Sequence, residues 1–211
     1  MALAQIRISA RVDDRKSGPG HPKAIDSRYS QTRTMDLATD FIARSRQFLV
    51  VEYRTKLHTA VRALPPEALW WRANDQSNSV GNLLMHLTGN VRQWLVGGVG
   101  RENTARDRAG EFGARSGETA EILLRRLDAV LRDVDRVLGG LTPAELTTDR
   151  TIQGRETTVF AAIYHVVEHF SLHLGQIVLI AKLHAPGSFQ FYEDAGGLAK
   201  PVWMALKVPD A

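Results

Sequence analysis

The chain has 211 residues, of which 44% are hydrophobic, a formal net charge of +4 and no cysteine. Its length suits one domain, with or without an extension. The absence of cysteine excludes disulfides, thiolate metal ligands and a cysteine nucleophile supplied by this chain. No run of about 18 uninterrupted apolar residues occurs, so we expect no membrane span and no membrane partner. The lack of cysteine also fits the cytoplasmic location that we expect.

The basic surplus lies at the N-terminus. Residues 1–34 contain seven Lys or Arg and three Asp or Glu, whereas the rest of the chain has equal numbers of basic and acidic residues. A nucleic-acid-binding domain carries its basic surplus on the folded part, so nucleic acid is not an expected partner. The breaker cluster SGPGHP also interrupts any periodic pattern. We therefore predict a flexible basic extension over residues 1–34 and a folded domain over residues 35–211.

Four long amphipathic helices are predicted after Met35, because apolar residues recur at three- and four-residue spacing. They cover about residues 36–64, 79–95, 117–138 and 157–183. Clusters of proline or glycine follow each of them, as expected at helix ends. The pattern predicts an all-α fold, a four-helix bundle with two long inter-helix connections at 97–116 and 139–156.

The second connection contains two local signals. The segment TPAE at 142–145 has the spacing of a capping box and predicts a short helical turn. Only RTIQ at 150–153 has a strand-like alternation.

Three of the seven histidines lie four residues apart in the fourth predicted helix, within YHVVEHFSLHLGQI. Because four residues advance a helix by about 400°, His165, His169 and His173 form a row that drifts slowly around the axis. His173 lies nearest to the apolar face, and His165 points furthest toward solvent. An i,i+4 pair of histidines can share one ion, which favours His169 and His173 as metal ligands. The alternative is a solvated polar face that uses histidine.

Two imidazoles rarely hold an ion tightly, so a third ligand is expected from another helix. His86 is the best candidate, because it lies mid-helix beside the apolar Leu83 and Leu87. His58 on the first helix is the main competitor. Since imidazole must be neutral to bind metal, the ion should be lost as the pH falls below about 6.

Two segments, NSVGNLLMHLTGNVRQW and YHVVEHFSLHLGQI, together resemble the DinB-like, YfiT-like superfamily of bacterial four-helix bundles. The resemblance covers residues 36–195. It implies one divalent metal ion bound by a histidine of the second helix and by both histidines of an H-x-x-x-H that precedes GQ in the fourth. In this sequence those residues are His86, His169 and His173, and His165 is left outside the ligand set.

Three neutral imidazoles leave coordination positions open, which is typical of catalytic metal sites. Because the superfamily includes enzymes that depend on mycothiol or bacillithiol, the resemblance implies a transferase or isomerase that uses a low-molecular-weight thiol and a small-molecule substrate. Two alternatives stay open: a metal-dependent hydrolase, and a metal-binding protein without turnover. Zinc and nickel both suit imidazole. A homodimer is also expected, since the superfamily often pairs bundles and the tryptophans of residues 70–94 could leave apolar surface.

Two polar residues stand about one turn from the predicted ligands. Asn90 follows His86 by four residues, and Gln176 follows His173 by three. Either could orient an imidazole or bind substrate, with a polar helix shoulder as the alternative. The arginines of residues 101–115 are interpreted mainly as surface residues, with binding of an acidic cosubstrate as the alternative. No general acid or base is predicted.

Overall fold

The structure, a computed structural model, describes residues 36–206 and Val208. Its α-helices are α1 (Leu37–Arg46), α2 (Arg54–Ala63), α3 (Val80–Val91), α4 (Arg108–Gly113), α5 (Ala120–Gly139) and α6 (Val159–His184). A π-helical stretch, Gln47–Tyr53, joins α1 to α2, and a second one, Arg92–Val99, continues α3. The chain is mainly helical, as predicted, but the expected all-α fold also contains four short strands. The extension predicted for residues 1–34 lies outside the described residues.

One hydrophobic core holds the helices together. Helix α3 packs against α5 and α6, and α2 packs against α6. Helices α2, α3, α5 and α6 each contribute fully buried side chains, among them Leu57, Leu87, Leu131 and Phe170. Burying a leucine or phenylalanine side chain stabilises a fold by about 1.5–3 kcal/mol, so this core fixes the helices that carry the histidines.

The N-terminus of α3 is held by a capping box. The Ser79 hydroxyl accepts from the Asn82 backbone N–H, and the Asn82 side chain accepts from the Ser79 backbone N–H. These two bonds satisfy donors that a helix start leaves free. The start of α3 therefore agrees with the predicted start of the second helix.

The second helical segment is longer than predicted, because it continues through Val99 instead of ending near residue 95. Its glycines do not stop it but admit close neighbours. A Cβ atom on Gly97 would lie 2.5 Å from Thr104 Oγ1, and one on Gly98 would lie 2.3 Å from Ile152 Cδ1. The prediction was wrong here because glycine serves both for helix ends and for close packing.

Two short hairpins accompany the helices. Strands β1 (Asp149–Ile152) and β2 (Arg155–Thr158) pair in antiparallel register, as do β3 (Tyr192–Asp194) and β4 (Ala199–Pro201). Strand β1 overlaps the RTIQ segment, and the predicted turn at TPAE has its capping box. The other strands were not predicted, since their polar side chains show no alternation. Gln153 and Gly154 form the first turn with φ of 54° and 72°.

By length and composition alone, α6 is the one helix in the described part of the chain that could cross a membrane. No such helix was expected from the sequence. In the structure α6 buries one face in the protein core, where Ile163, Phe170 and Ile177 are inaccessible to solvent.

Candidate metal centre

The structure brings together the three histidines that the sequence singled out. His86 Nε2 lies 3.1 Å from His169 Nε2, and His173 Nε2 lies 3.2 Å from the same atom. The three rings meet at the seam between α3 and α6, with His86 buried and the other two half-buried. Each ring thus points one nitrogen at a common region.

These separations fit a shared metal ion. Ligand nitrogens at 2.0–2.1 Å from a tetrahedral zinc ion are about 3.3 Å apart, close to the separations seen here. The Nδ1 atom of His86 lies beside a carboxylate oxygen and that of His173 beside an amide oxygen. In the tautomer that donates to these oxygens, each ring presents a lone pair at Nε2. His169 Nε2 can donate to only one of them. Three nitrogens around one point, with more lone pairs than hydrogens among them, are chemically suited to bind a cation.

The opposite ring nitrogens differ in their partners. His86 Nδ1 lies 3.0 Å from Glu111 Oε2, and His173 Nδ1 lies 3.0 Å from Gln176 Oε1. His169 Nδ1 is buried and has no hydrogen-bond partner among residues 36–206. Metal-binding imidazoles usually donate this second N–H to an oxygen, which fixes the ring orientation. Two of the three rings are therefore held in place, one of them by the predicted Gln176.

Glu111 is an ionised carboxylate buried beside His86. Arg106 donates to both of its oxygens, each at 2.7 Å, and Arg106 Nη2 also lies 3.0 Å from His86 Nδ1. Burial alone would raise the pKa of Glu111, but hydrogen bonds from Arg106 and His86 lower it below its usual value. A carboxylate in this position makes the imidazole a stronger electron donor at Nε2.

The connection between the second helical segment and α5 delivers Glu111 to the histidines. Asn82 Nδ2 donates to the backbone oxygens of Glu111 and Ala114, each at 2.9 Å, and so holds α4 against α3. A Cβ atom on Gly89 would lie only 2.0 Å from Glu111 Oε1. A glycine at this point of α3 is what allows the carboxylate to reach His86.

Arg106 also ties two surface segments to the site. Its Nη1 donates to Gln93 Oε1 at 3.0 Å, and Gln153 at the hairpin turn donates to the same oxygen. The ring of Phe112 covers His86 at 4.5 Å between centroids. The arginines of residues 101–115 were interpreted mainly as surface residues. That interpretation is wrong for Arg106, whose side chain is 5% exposed.

The imidazoles of His169 and His173 are biased toward the neutral form. Burial, reinforced by the neighbouring His173 and His86, lowers the pKa of His169 to about 3. Burial also lowers the pKa of His173. Since metal binds only the neutral imidazole, these shifts reduce competition by protons at mildly acidic pH.

His165 lies outside the group of converging nitrogens, although its ring centroid is 5.4 Å from that of His169. Its ring packs on Trp94 at 4.3 Å between centroids and is half-buried, whereas the helical pattern placed it furthest toward solvent. The difference arises because the π-helical continuation of α3 reaches alongside the first turns of α6.

His58, the competing ligand candidate, lies elsewhere. It is 2% exposed, and its Nε2 lies 2.9 Å from Asp128 Oδ1 on α5. The group of converging ligand nitrogens found among the described residues does not include His58.

Glu111 and Arg106 were not found from the sequence, because they lie in a connection without periodic pattern. One signal pointed there: Gly89 lies in the interior of α3, and such a glycine often marks a close approach of another segment.

The comparisons with known proteins identify the family and the fold. A family model described as protein of unknown function (DUF1572) matches residues 36–193. Among solved structures, the chain is similar to a DinB-like protein from Bacillus cereus ATCC 10987, with 16% sequence identity and a TM-score of 0.51. That match covers 65% of this chain and 92% of the other. No curated protein matches. At this identity the likeness concerns the fold, and the predicted DinB-like resemblance is confirmed at that level.

Proposed function

Since this chain belongs to the family described as protein of unknown function (DUF1572), we propose its function from the geometry of the histidine site. The chain is a four-helix bundle that binds one divalent ion, zinc or nickel, through His86, His169 and His173. It is a metal-dependent enzyme with a low-molecular-weight thiol as cosubstrate, acting as a transferase or isomerase on a small molecule.

The convergence of three Nε2 atoms within 3.1–3.2 Å of their neighbours carries this proposal. Structural zinc sites are normally closed by four protein ligands, and catalytic ones keep a position for substrate or water. The cluster found among residues 36–206 has three members, all imidazoles. Three neutral ligands leave the ion its full positive charge, which favours an anionic fourth ligand.

A bound ion of this kind lowers the pKa of a coordinated thiol or water toward neutrality. The chain contains no cysteine, so a reacting thiol has to arrive with a cosubstrate. Glu111 and Gln176 hold two of the imidazoles at their Nδ1 atoms. The protein thus contributes a rigid, electron-rich ligand set, and the resemblance to thiol-dependent relatives supports the thiol as the fourth ligand.

A cobalt titration tests thiol binding without depending on turnover. Elemental analysis first establishes the native metal, and Co²⁺ then replaces it. Mycothiol, bacillithiol and glutathione are titrated in turn, and we expect one of them to produce a thiolate-to-cobalt charge-transfer band. The His173→Ala variant, treated identically, should show no band.

A screen for thiol transfer by the native protein follows. Turnover that requires the thiol supports the proposal. Turnover without thiol shows a metal-dependent hydrolase, and stoichiometric metal with neither thiol binding nor turnover shows a metal-binding protein. Both of those outcomes overturn the thiol-dependent enzyme.

We further propose that Asn90 positions His169. The rings of His86 and His173 face each other across the seam, as do those of Trp94 and His165. His86 and Trp94 are eight residues apart, as are His165 and His173. Asn90, midway between the first two, is therefore level with His169, midway between the other two. Asn90 Oδ1 and His169 Nδ1 are both buried, and both have no hydrogen-bond partner in the described residues. The amide oxygen suits the imidazole N–H through one bridging water molecule.

Replacing Asn90 separates positioning from packing. Asn90→Leu removes the acceptor at similar size and should weaken metal binding by about 10- to 100-fold. Asn90→Asp restores an acceptor and should recover most of that affinity. Equal weakening by both variants, measured by competition with a chelator, would assign Asn90 to packing alone.

A further inference from the structure

The outer face of α6 is apolar along its length. Five large hydrophobic side chains on it are between 46% and 64% exposed: Phe160, Tyr164, Leu172, Leu179 and Leu183. The other exposed residues of the helix are Ala161, Glu168, Ser171, Gly175, Gln176 and Lys182. The strip lies on the side of α6 that faces away from the core.

Helix α5 shows what a solvent-facing helix of this protein looks like. Its exposed face carries charges and no large hydrophobic side chain: Glu121, Arg125, Arg126, Arg132 and Arg136. Single exposed hydrophobic residues are common, but a contiguous apolar strip marks an interaction surface. Of the tryptophans expected to supply such a surface, Trp94 is 7% exposed and Trp70 is partly buried. Trp71 is exposed, but it is a single residue that packs against His184 at the end of α6.

The two charged residues of the strip are placed symmetrically. Glu168 and Lys182 lie seven residues before and seven residues after Gly175. Seven residues are about two helical turns, so the three residues share one line along the helix. Within residues 36–206, neither charge has an ion-pair partner. A Cβ atom on Gly175 would touch nothing within 4 Å, so the centre of this line is open to a neighbour.

We propose that this strip binds the same strip of a second copy of the chain, with the two α6 helices antiparallel and crossing at Gly175. A two-fold axis through that crossing places Glu168 of each copy against Lys182 of the other. The contact therefore contains two Glu–Lys pairs, one on each side of the axis. Ser171 and Leu179, each four residues from Gly175, then face one another across the axis. A small residue lies opposite a large one, which lets the helices approach closely.

The charges favour a second copy over a lipid surface. Helices that lie in a membrane interface carry an excess of Lys and Arg beside their apolar face. Here one acid and one base flank the centre, an arrangement that is self-complementary under two-fold rotation. The symmetric contact uses both charges, whereas an anionic lipid surface would repel Glu168.

Charge reversal tests the contact in the full chain. Sedimentation equilibrium of the unaltered protein should give a dimer. Glu168→Lys and Lys182→Glu each place like charges opposite one another twice, and each variant should sediment as a monomer. The double variant Glu168→Lys/Lys182→Glu should be a dimer again, and an equimolar mixture of the two single variants should form a heterodimer. Glu67→Lys, an equal charge change away from α6, should stay dimeric.

Circular dichroism of each variant establishes that the helices are intact. A monomeric unaltered protein, or a dimer that survives both single reversals, overturns the proposal. So does a double variant that stays monomeric, because the pairing of Glu168 with Lys182 is then wrong. Binding of the unaltered monomer to anionic phospholipid vesicles would assign the strip to a membrane surface instead.

Discussion

Two buried histidines in this protein, His86 and His58, each lie beside a carboxylate and an arginine. They differ in which ring nitrogen contacts the carboxylate. His86 turns Nδ1 to Glu111 and leaves Nε2 facing two other imidazoles. His58 turns Nε2 to Asp128, and its Nδ1 has no partner in the described part of the chain.

The comparison separates a candidate metal centre from a structural ion pair of the same composition. Arg106 binds Glu111 as Arg54 binds Asp128, so the residue types alone do not distinguish the two clusters. What distinguishes them is convergence, because only His86 shares its free nitrogen with His169 and His173. We therefore expect substitutions at the first cluster to change metal affinity and those at the second to change stability.

The largest effect should come from Asp128→Ala. Removing the carboxylate leaves His58 buried without the oxygen that its Nε2 contacts, and the loss of one partner from a buried pair costs about 3–5 kcal/mol. Urea unfolding of the metal-free protein measures this change. The folded fraction of the Asp128→Ala protein should bind zinc with the same affinity as the unaltered protein. A parallel loss of zinc affinity would contradict the separation of the metal centre from the structural ion pair.

The next effect concerns Glu111→Gln, which keeps the shape and removes the charge. His86 loses its anionic partner, and metal affinity should fall by about 10- to 100-fold. Competition with a chelator measures the change. Asp128→Asn is the matched control, and an equal drop in that variant would show that both clusters act through general stability.

Acid unfolding should reveal the contribution of Asp128 to the stability of the fold. Burial raises the pKa of Asp128, but His58 and Arg54 lower it more, to about 2 from 3.8. A lowered pKa in the folded state means that the carboxylate stabilises the fold above about pH 4 and loses this effect as the pH falls toward 2. The contribution is about 2 kcal/mol. Asp128→Asn should flatten the pH dependence of unfolding in this window, and an unchanged slope would refute the assignment.

The smallest effect should come from Gly89→Ala, where the gain in helix propensity is offset by the clash of the new side chain with the buried Glu111. Alanine favours a helix over glycine by up to about 1 kcal/mol. Its Cβ would overlap Glu111 Oε1, so the carboxylate has to leave His86 and metal affinity should fall by about tenfold. Gly175→Ala, where the new Cβ touches nothing, should leave affinity unchanged. Equal affinity in both variants would show that Glu111 does not act on the site.

The sequence predicted the histidine cluster better than its surroundings. Helical spacing brings His169 and His173 together on any α-helix, so their proximity follows from local geometry. The position of Glu111 depends on how a connection folds back onto α3, which Asn82 determines through two long-range hydrogen bonds. Such contacts leave no periodic trace in a sequence. The environment of His165 was missed for the same reason, since Trp94 reaches it through a helix continuation that its glycines had seemed to exclude.

The central claim is that His86, His169 and His173 share one ion. The direct measurement is the metal content of single alanine variants, determined by elemental analysis at neutral pH after removal of free metal. His86→Ala, His169→Ala and His173→Ala should each lose most of the ion, whereas His165→Ala and His58→Ala should retain one equivalent per chain. Retention by the His86 variant, or loss by the His165 variant with retention by the His173 variant, would contradict the account.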